Sequence, residues 1–248
     1  LSFTSRSSKS ESWDRLLELT PWSSKPTLFF GPVMVGVIFV NQHSRRNKFM
    51  KNAIKVIIIF ILVNNAYATE TETIAPFGLH WGESKQKLKK SGVVLDKCTT
   101  DKRLSICTTK KPIKPVSFGE IYQLIFDSKR GLQKVTMLGN DITGDITGSE
   151  GKELYIKVKS SLAKKYGETK DYEYSGLKVY DEYDEFYQCL AYSGCGSWTS
   201  LWDLKKGGAI LVSLEGLGRG KGYLKISYES KNWADILDER KKERKLKG

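Results

Sequence analysis

The feature that most constrains the fold is a secretory signal inside the chain, at residues 50–68. Met50 opens a basic start, an apolar run Ile54–Val63 and a polar stretch that ends in Ala66-Tyr67-Ala68. These are the three parts of a signal peptide, with small residues where the signal peptidase binds them. We therefore predict cleavage after Ala68, export to the periplasm, and a mature domain at residues 69–248 that folds in an oxidising compartment.

Residues 1–49 begin with Leu rather than Met, and they are interpreted as translated upstream DNA or a disordered extension. The alternative is a genuine N-terminal extension with a second apolar run, Leu28–Val40, that would form a membrane hairpin with the run in the signal. Both runs are shorter than the ~20 apolar residues that a membrane-spanning helix needs. The membrane hairpin is therefore the weaker interpretation.

The charge of the chain limits the class of partner. The chain has 41 Lys and Arg against 28 Asp and Glu, and residues 69–248 retain 32 and 25 of these. Part of the excess lies in the basic tail Asp238–Gly248, which is interpreted as the solvated end of a helix. A basic exported chain suits anionic lipid headgroups or cell-wall polymers. We expect no nucleic-acid partner, and weak contact of the tail with an anionic membrane surface or cell wall.

All four cysteines lie in the predicted mature domain: Cys98, Cys107, Cys189 and Cys195. An even number in an exported chain indicates disulfides, and four cysteines allow three pairings. We favour the local pairs, which are Cys98–Cys107 across a hairpin and Cys189–Cys195 around a tight loop. Zinc is a poor rival, because the mature domain has one histidine and no close cysteine pair. No metal or other cofactor is expected.

The hydrophobic patterns predict an α+β fold of two similar halves, 77–140 and 149–229, followed by a charged C-terminal helix at 232–247. In each half one helix packs on an antiparallel β-meander. The helices are expected at Lys85–Ser91 and along the apolar positions of Leu154–Tyr166. The predicted strands are Val93–Thr100, Leu104–Thr109, Glu120–Asp127, Leu132–Leu138, Val179–Tyr192, Trp198–Leu204, Ala209–Glu215 and Tyr223–Tyr228.

Three short motifs resemble those of a loose group of small bacterial envelope proteins. Phe77–Ser84 reads FGLHWGES and is similar to the FGLxWGxS phrase that opens the first helix in that group. Lys164–Gly167 resembles the KKYG helix end of the group, and Ile226–Tyr228 resembles a late strand that ends in Tyr. The two halves are also similar in architecture to β-lactamase inhibitor protein and to small outer-membrane assembly lipoproteins. The resemblance implies an envelope protein, and many members of the group have no assigned activity.

Motifs for catalysis or ion binding are weak. His80 is the only histidine of the mature domain, and we expect it to have a packing or loop role. Gly216–Gly222 lacks the spacing of a phosphate-binding loop and is expected to be a flexible hairpin tip. The loop with Asp141 and Asp145 lacks the EF-hand pattern, so we expect an ordinary surface loop rather than a weak calcium site. No catalytic residue is assigned.

The most suggestive stretch is Asp171–Tyr187, which interleaves tyrosines with acidic residues. Tyrosine is favoured in contact surfaces, and acids beside it would select a basic partner. The alternative is an edge hairpin whose tyrosines pack on the sheet while its acids stay in water. The candidate partner-binding residues are Tyr180, Asp181, Glu182, Tyr183 and Asp184 and, at the hairpin tip, Arg219 and Lys221.

These features predict an exported periplasmic binding protein without catalytic activity, whose partner is another envelope or secreted protein. An inhibitor or immunity-type role fits a small, disulfide-linked domain. Two alternatives stay open. One is an enzyme that acts on cell-wall glycan, since Trp198 and Trp202 near the acidic stretch would stack on sugars. The other is an adaptor for outer-membrane assembly.

Overall fold

A computed structural model describes residues 74–177 and 179–245 of the protein. The predicted signal peptide, its cleavage position and residues 1–49 lie outside these residues. The described helices are α1 Lys85–Lys90, α2 Ser149–Tyr166, α3 Phe186–Ala191 and α4 Trp233–Lys245, with a 3-10 turn at Pro76–Gly78. The strands are β1 Cys98–Asp101, β2 Leu104–Thr109, β3 Gly119–Asp127, β4 Gly131–Gly139, β5 Ile142–Thr143, β6 Lys170–Tyr174, β7 Ser197–Asp203, β8 Ala209–Gly218 and β9 Lys221–Glu229.

The strands form one antiparallel nine-stranded sheet, so the predicted α+β class is confirmed. Its order is β1-β2-β3-β4-β9-β8-β7-β6, and the short β5 also pairs with β9. Strands β1–β4 form one meander and β6–β9 form a second. The last strands of the two meanders meet in the middle, where Met137 is in register with Ile226. Strands β1 and β6 are therefore the opposite edges of the described sheet.

One face of the sheet carries the main core. Because side chains alternate along a strand, Tyr122, Met137 and Ile226 lie in register on the same face. Helix α2 packs on this face through Tyr155 and Val158, which belong to the same buried cluster. Burial of each such large side chain contributes roughly 1.5–3 kcal/mol.

Helix α1 packs on the first meander through one residue. Ser84 caps the helix by accepting a hydrogen bond from the backbone N–H of Lys87. Leu88 is fully buried in a cluster with Leu124 and Val135. The predicted strand Val93–Thr100 is wrong in its first half, because the Val93 N–H bonds to the Leu88 carbonyl and continues the helix cap instead.

Helix α4 covers part of the opposite face, where Trp233 and Ile236 pack against Ile125. The predicted C-terminal helix is thus confirmed to Lys245, but its charged end is not simply solvated. Arg103 donates to Glu239 at 2.6 Å, and Arg240 is buried and paired with Asp101. The basic tail was expected to fray, and within the described residues it is instead held to the β1–β2 hairpin.

The predicted strand Val179–Tyr192 is wrong, since residues 179–185 are irregular and Phe186–Ala191 is helix α3. The Cys189 N–H donates to the Glu185 carbonyl at 2.9 Å, which is a helical bond. Phe186 and Tyr187 are buried on the main core. The edge of the sheet is taken by Lys170–Tyr174, a strand that the sequence did not predict.

Both predicted disulfides are confirmed: Cys98–Cys107 and Cys189–Cys195. Cys98 and Cys107 are register partners across the β1–β2 hairpin.

None of the helices in the described part of the chain is both long enough and apolar enough to cross a membrane.

Candidate functional site

The tyrosine- and acid-rich stretch is divided among three structures. It begins in the edge strand β6, continues as an irregular loop at residues 175–177 and 179–185, and ends in the first turn of α3. The alternative interpretation, an edge hairpin, is correct only in that β6 is an edge strand paired with β7. The rest of the stretch is not strand. The candidate residues Tyr180–Asp184 all lie in the loop.

The Cys189–Cys195 bridge holds the loop against α3. The Gly176 N–H lies 3.1 Å from Cys189 Sγ, and the Leu177 N–H donates to the Cys195 carbonyl at 3.0 Å. Further along the loop, the rings of Tyr180 and Tyr192 meet edge to face at 5.9 Å between centroids. Backbone bonds, a ring contact and a disulfide thus anchor the loop at several points.

The loop exposes large apolar side chains. Tyr183 is 79% exposed and Leu177 is 64% exposed. Of the large hydrophobic side chains that the described residues leave exposed, half lie between Tyr174 and Tyr192. Contiguous exposed apolar groups on a soluble domain mark interaction sites. We define the tyrosine surface as Tyr174, Leu177, Val179, Tyr180, Asp181, Glu182, Tyr183 and Tyr192.

The two separate groups of predicted partner-binding residues meet in space. Arg219, at the tip of the β8–β9 hairpin, forms an ion pair with Asp184 of the loop. The side chain of Asp184 is 16% exposed, whereas that of Arg219 is 64% exposed. Lys221 is exposed but lies at the start of β9, in register with Thr143 of β5. Arg219 therefore borders the tyrosine surface, and Lys221 belongs to the other side of the hairpin.

Glycines explain why the hairpin tip lies against α3. A Cβ atom at Gly222 would be 2.3 Å from the ring of Tyr187, and one at Gly216 would be 1.9 Å from the Tyr187 carbonyl oxygen. Both positions must therefore be glycine for α3 to approach β8 and β9. The expected hairpin at Gly216–Gly222 is confirmed, but its strands run further than the sequence predicts, and only Arg219 and Gly220 form the turn.

Asp145 joins α2 to α3. The sequence predicts an ordinary surface loop here, and for Asp145 that prediction is wrong. This residue is buried, and its Oδ2 accepts hydrogen bonds from the Tyr187 hydroxyl at 2.8 Å and the Gly151 N–H at 2.9 Å. Burial alone would raise the pKa of Asp145, but these hydrogen bonds offset it and the pKa is lowered. Burial, and then the bond to Asp145, raise the pKa of Tyr187. The carboxylate of Asp145 is therefore ionised and accepts a hydrogen bond from the neutral hydroxyl of Tyr187.

No group of three or more His, Cys, Asp or Glu side chains within the described ranges could hold a metal ion. Asp141 is exposed, and it does not join Asp145 in the interior.

A second polar cluster, missed by the sequence reasoning, lies between α2 and β6. Ser200 Oγ lies 2.5 Å from the Tyr155 hydroxyl and donates to Asp171 at 2.6 Å. Lys159 bridges Asp171 at 2.5 Å and Glu173 at 2.6 Å. These side chains come from α2, β6 and β7, so only the folded register brings them together.

The chemistry of this cluster suits a structural role. Burial would raise the pKa of Asp171, but hydrogen bonds from Lys159 and Ser200 offset it and the pKa is lowered. Burial raises the pKa of Tyr155. Ser200 is fully buried, so a substrate cannot reach its hydroxyl. The carboxylate of Asp171 therefore stays ionised and bound to Lys159 and Ser200.

The remaining candidates are separate from these groups. His80 is exposed in the turn before α1, with Nδ1 3.6 Å from Glu83 Oε1, so the loop role is confirmed and a packing role is wrong. Trp202 is buried and its Nε1 donates to the Gly167 carbonyl at 3.0 Å. Trp198 packs edge to face on Phe186. A sugar-stacking pair of tryptophans is therefore wrong.

Comparison of the chain with protein families gives no matching family, and comparisons with curated proteins and with solved structures give no significant match.

Proposed function

We propose that the protein is an exported binding protein that docks on another envelope or secreted protein through the tyrosine surface. The observation that carries this proposal is the concentration of exposed apolar side chains on a loop anchored by the Cys189–Cys195 disulfide. Tyrosines on an anchored loop lose little entropy when they bind, so more of their contact energy remains as affinity. An inhibitor or immunity-type role fits such a surface.

The charges of the surface indicate the chemistry of the partner. Asp181 and Glu182 are exposed beside Tyr183, and Asp184 is already paired with Arg219. Two acids therefore remain to meet lysines or arginines of a partner around a central aromatic contact. Such charges at the rim speed association and select partners more than they add affinity.

The test is co-purification from the host envelope. In one variant, Tyr183→Ala is combined with Asp181→Lys and Glu182→Lys. The matched control combines Glu153→Lys and Glu168→Lys, which reverse two exposed acids outside the surface. Loss of a central tyrosine contact typically costs about 2 kcal/mol, or roughly thirtyfold in Kd. We expect partners to be lost from the first variant and retained by the control; identical partners in both would reject the proposal.

Export through the signal at residues 50–68 is part of the same proposal. Two disulfides in the mature domain support it, because disulfides persist in oxidising compartments and are rare in the cytosol. The exported form would begin at Thr69, five residues before the described structure.

The two-half architecture also remains a proposal. Each meander is preceded by one helix on the same sheet face, and the order of strands mirrors about the β4–β9 pair. Of the motifs that resemble envelope proteins, Phe77–Ser84 leads into α1, Lys164–Gly167 ends α2, and Ile226–Tyr228 lies in β9. If the halves are structural repeats, chains 69–144 and 145–248 expressed separately should associate, and failure of both to combine would argue against it.

A further inference from the structure

The first meander carries the positive charge of the domain. Residues 74–140 contain 13 Lys and Arg against 5 Asp and Glu, whereas residues 141–231 contain 13 against 14. Ion pairs that already occupy acids of the first meander include Glu83–Lys87, Asp101–Arg240 and Asp127–Arg103. The lysines of this meander therefore exceed the acids available to neutralise them.

Many of these lysines converge at one end of the meander. Helix α1 begins beside the β1–β2 turn, where Lys85 Nζ donates to Ser105 Oγ at 3.2 Å. Its buried Leu88 packs in the same cluster as Cys107, further along β2. The helix therefore ends toward Thr109, the last residue of β2. Lys89 and Lys90 are its final residues, and both are exposed.

Two other segments reach the same end. The Thr108 N–H donates to the Lys97 carbonyl at 3.2 Å, which places the start of β1 beside the end of β2. Lys110, Lys111 and Lys114 follow β2 directly. We define the lysine rim as the exposed residues Lys89, Lys90, Lys97, Lys110, Lys111 and Lys114.

Three exposed aliphatic side chains lie in the same rim: Ile74, Val94 and Ile113. The chain neighbours of two of them, Ala75 and Val93, are buried together in the cluster under α1. Ile113 lies beside the turn that follows Ala75, since a Cβ atom at Gly78 would be 3.0 Å from Ile113 Cβ. The rim therefore presents apolar side chains between lysines.

We propose that the lysine rim is a peripheral membrane-binding surface that docks on anionic lipid headgroups. Lysines near an anionic bilayer surface bind lipid phosphates, and exposed aliphatic side chains between them enter the boundary between headgroups and acyl chains. A soluble anionic polymer would account for the lysines but not for the exposed aliphatic residues.

This surface is distinct from the tyrosine surface. Lys97 leads into β1 and Lys110 and Lys111 follow its neighbour β2, whereas the tyrosine surface adjoins β6 at the opposite edge of the sheet. At about 4.8 Å per strand, the two edges are separated by roughly 30 Å of sheet. A protein held on the membrane by one edge would present the other edge to its partner.

The experiment is vesicle sedimentation of the protein recovered from the envelope of cells that express the full chain. Vesicles of phosphatidylcholine mixed with phosphatidylglycerol are compared with vesicles of phosphatidylcholine alone and with soluble polyphosphate. The rim variant combines Lys110→Gln, Lys111→Gln and Lys114→Gln. The matched control combines Lys164→Gln, Lys205→Gln and Lys206→Gln, three exposed lysines of the second meander and α2. A third variant, Ile113→Ser, tests the apolar contribution.

We expect the unchanged protein to bind the vesicles that contain phosphatidylglycerol and neither of the other two samples. The rim variant should bind those vesicles about tenfold more weakly or worse, because each lysine near an anionic surface contributes about fivefold to affinity. The control should bind as the unchanged protein does, and Ile113→Ser should weaken binding at both low and high ionic strength. Equal losses in the rim and control variants would overturn the proposal. Tight binding to polyphosphate that Ile113→Ser leaves unchanged would also overturn it, in favour of a polymer ligand.

Discussion

Tyr187 lies against three glycines, Gly151, Gly216 and Gly222, and each contact excludes a side chain. At Gly151, in the first turn of α2, a Cβ atom would be 2.1 Å from the Tyr187 hydroxyl oxygen. Alanine favours a helix over glycine by about 1 kcal/mol, so the usual effect of Gly→Ala in a helix is stabilising. At this position the Tyr187 hydroxyl leaves no room for the alanine methyl group, so glycine is the more stable residue.

We therefore predict that Gly151→Ala destabilises the protein by about 1–3 kcal/mol. Tyr187→Phe alone should cost about 1–3 kcal/mol, since Asp145 loses a buried donor. In the double variant the clash is largely removed, so the combined loss should be smaller than the sum of the two. Urea unfolding of the four proteins measures this coupling. Additive losses would show that Tyr187 does not exclude a side chain at this position.

At the scale of elements, α4 depends on a carboxylate that two arginines hold. Arg130 donates to Glu239 at 2.8 Å and Arg103 at 2.6 Å. These hydrogen bonds, that of Arg130 first, lower the pKa of Glu239 to about 2 from its ordinary 4.5. A depressed carboxyl pKa adds stability that is present above the ordinary value and is lost as the pH falls toward the folded value.

We predict that Glu239→Gln lowers Tm above pH about 4.5 and that its difference from the unchanged protein shrinks toward zero as pH falls to about 2. Thermal unfolding followed by circular dichroism measures the difference. Added salt should reduce it, because Glu239 is partly exposed and its ion pairs are screened. Glu153→Gln, on an exposed face of α2, is the matched control. A difference that stays constant across this pH range would rule out the ion pairs as the cause.

Most elements could be predicted from local patterns, and the exceptions have physical causes. The strand Glu120–Asp127 carries Tyr122, Leu124 and Phe126 at every second position, so its period of two is visible without the fold, although the residues between them are buried as well. Helix α3 lies over the core face rather than in the sheet, and its short aromatic segment resembles a strand in composition. Its six residues are too few for a helical period to be recognised.

The candidate site could be predicted only in part. The tyrosines and acids of the loop are adjacent in sequence, so their composition could suggest a contact surface. The Arg219–Asp184 pair and the Lys159–Asp171–Ser200 cluster join residues from separate elements, and no local pattern contains that information. Glycines at Gly216 and Gly222 usually indicate a loop, whereas here they permit the approach of a helix.

At the scale of the whole molecule, the export proposal makes a prediction about covalent mass. Protein isolated from the host envelope without reduction should begin at Thr69 and have a mass four hydrogens below that of the same protein after reduction, because both disulfides are formed. Treatment with an alkylating reagent before reduction should leave that mass unchanged. Intact-protein mass spectrometry measures both. A mass that includes residues before Met50, or thiols that react with the reagent, would contradict export through this signal.

The central β4–β9 pair has a consequence for the order in which the protein is assembled. A chain that crosses a membrane N-terminus first delivers β4 about eighty residues before β9. Until β9 arrives, β4 is an open edge, and every residue from Leu132 to Gly139 is one that the finished fold buries. Open apolar edges pair with other chains. Folding outside the cytoplasm would thus pass through an aggregation-prone intermediate that contains only the first meander. The yield of folded protein would depend on how fast the second meander follows the first.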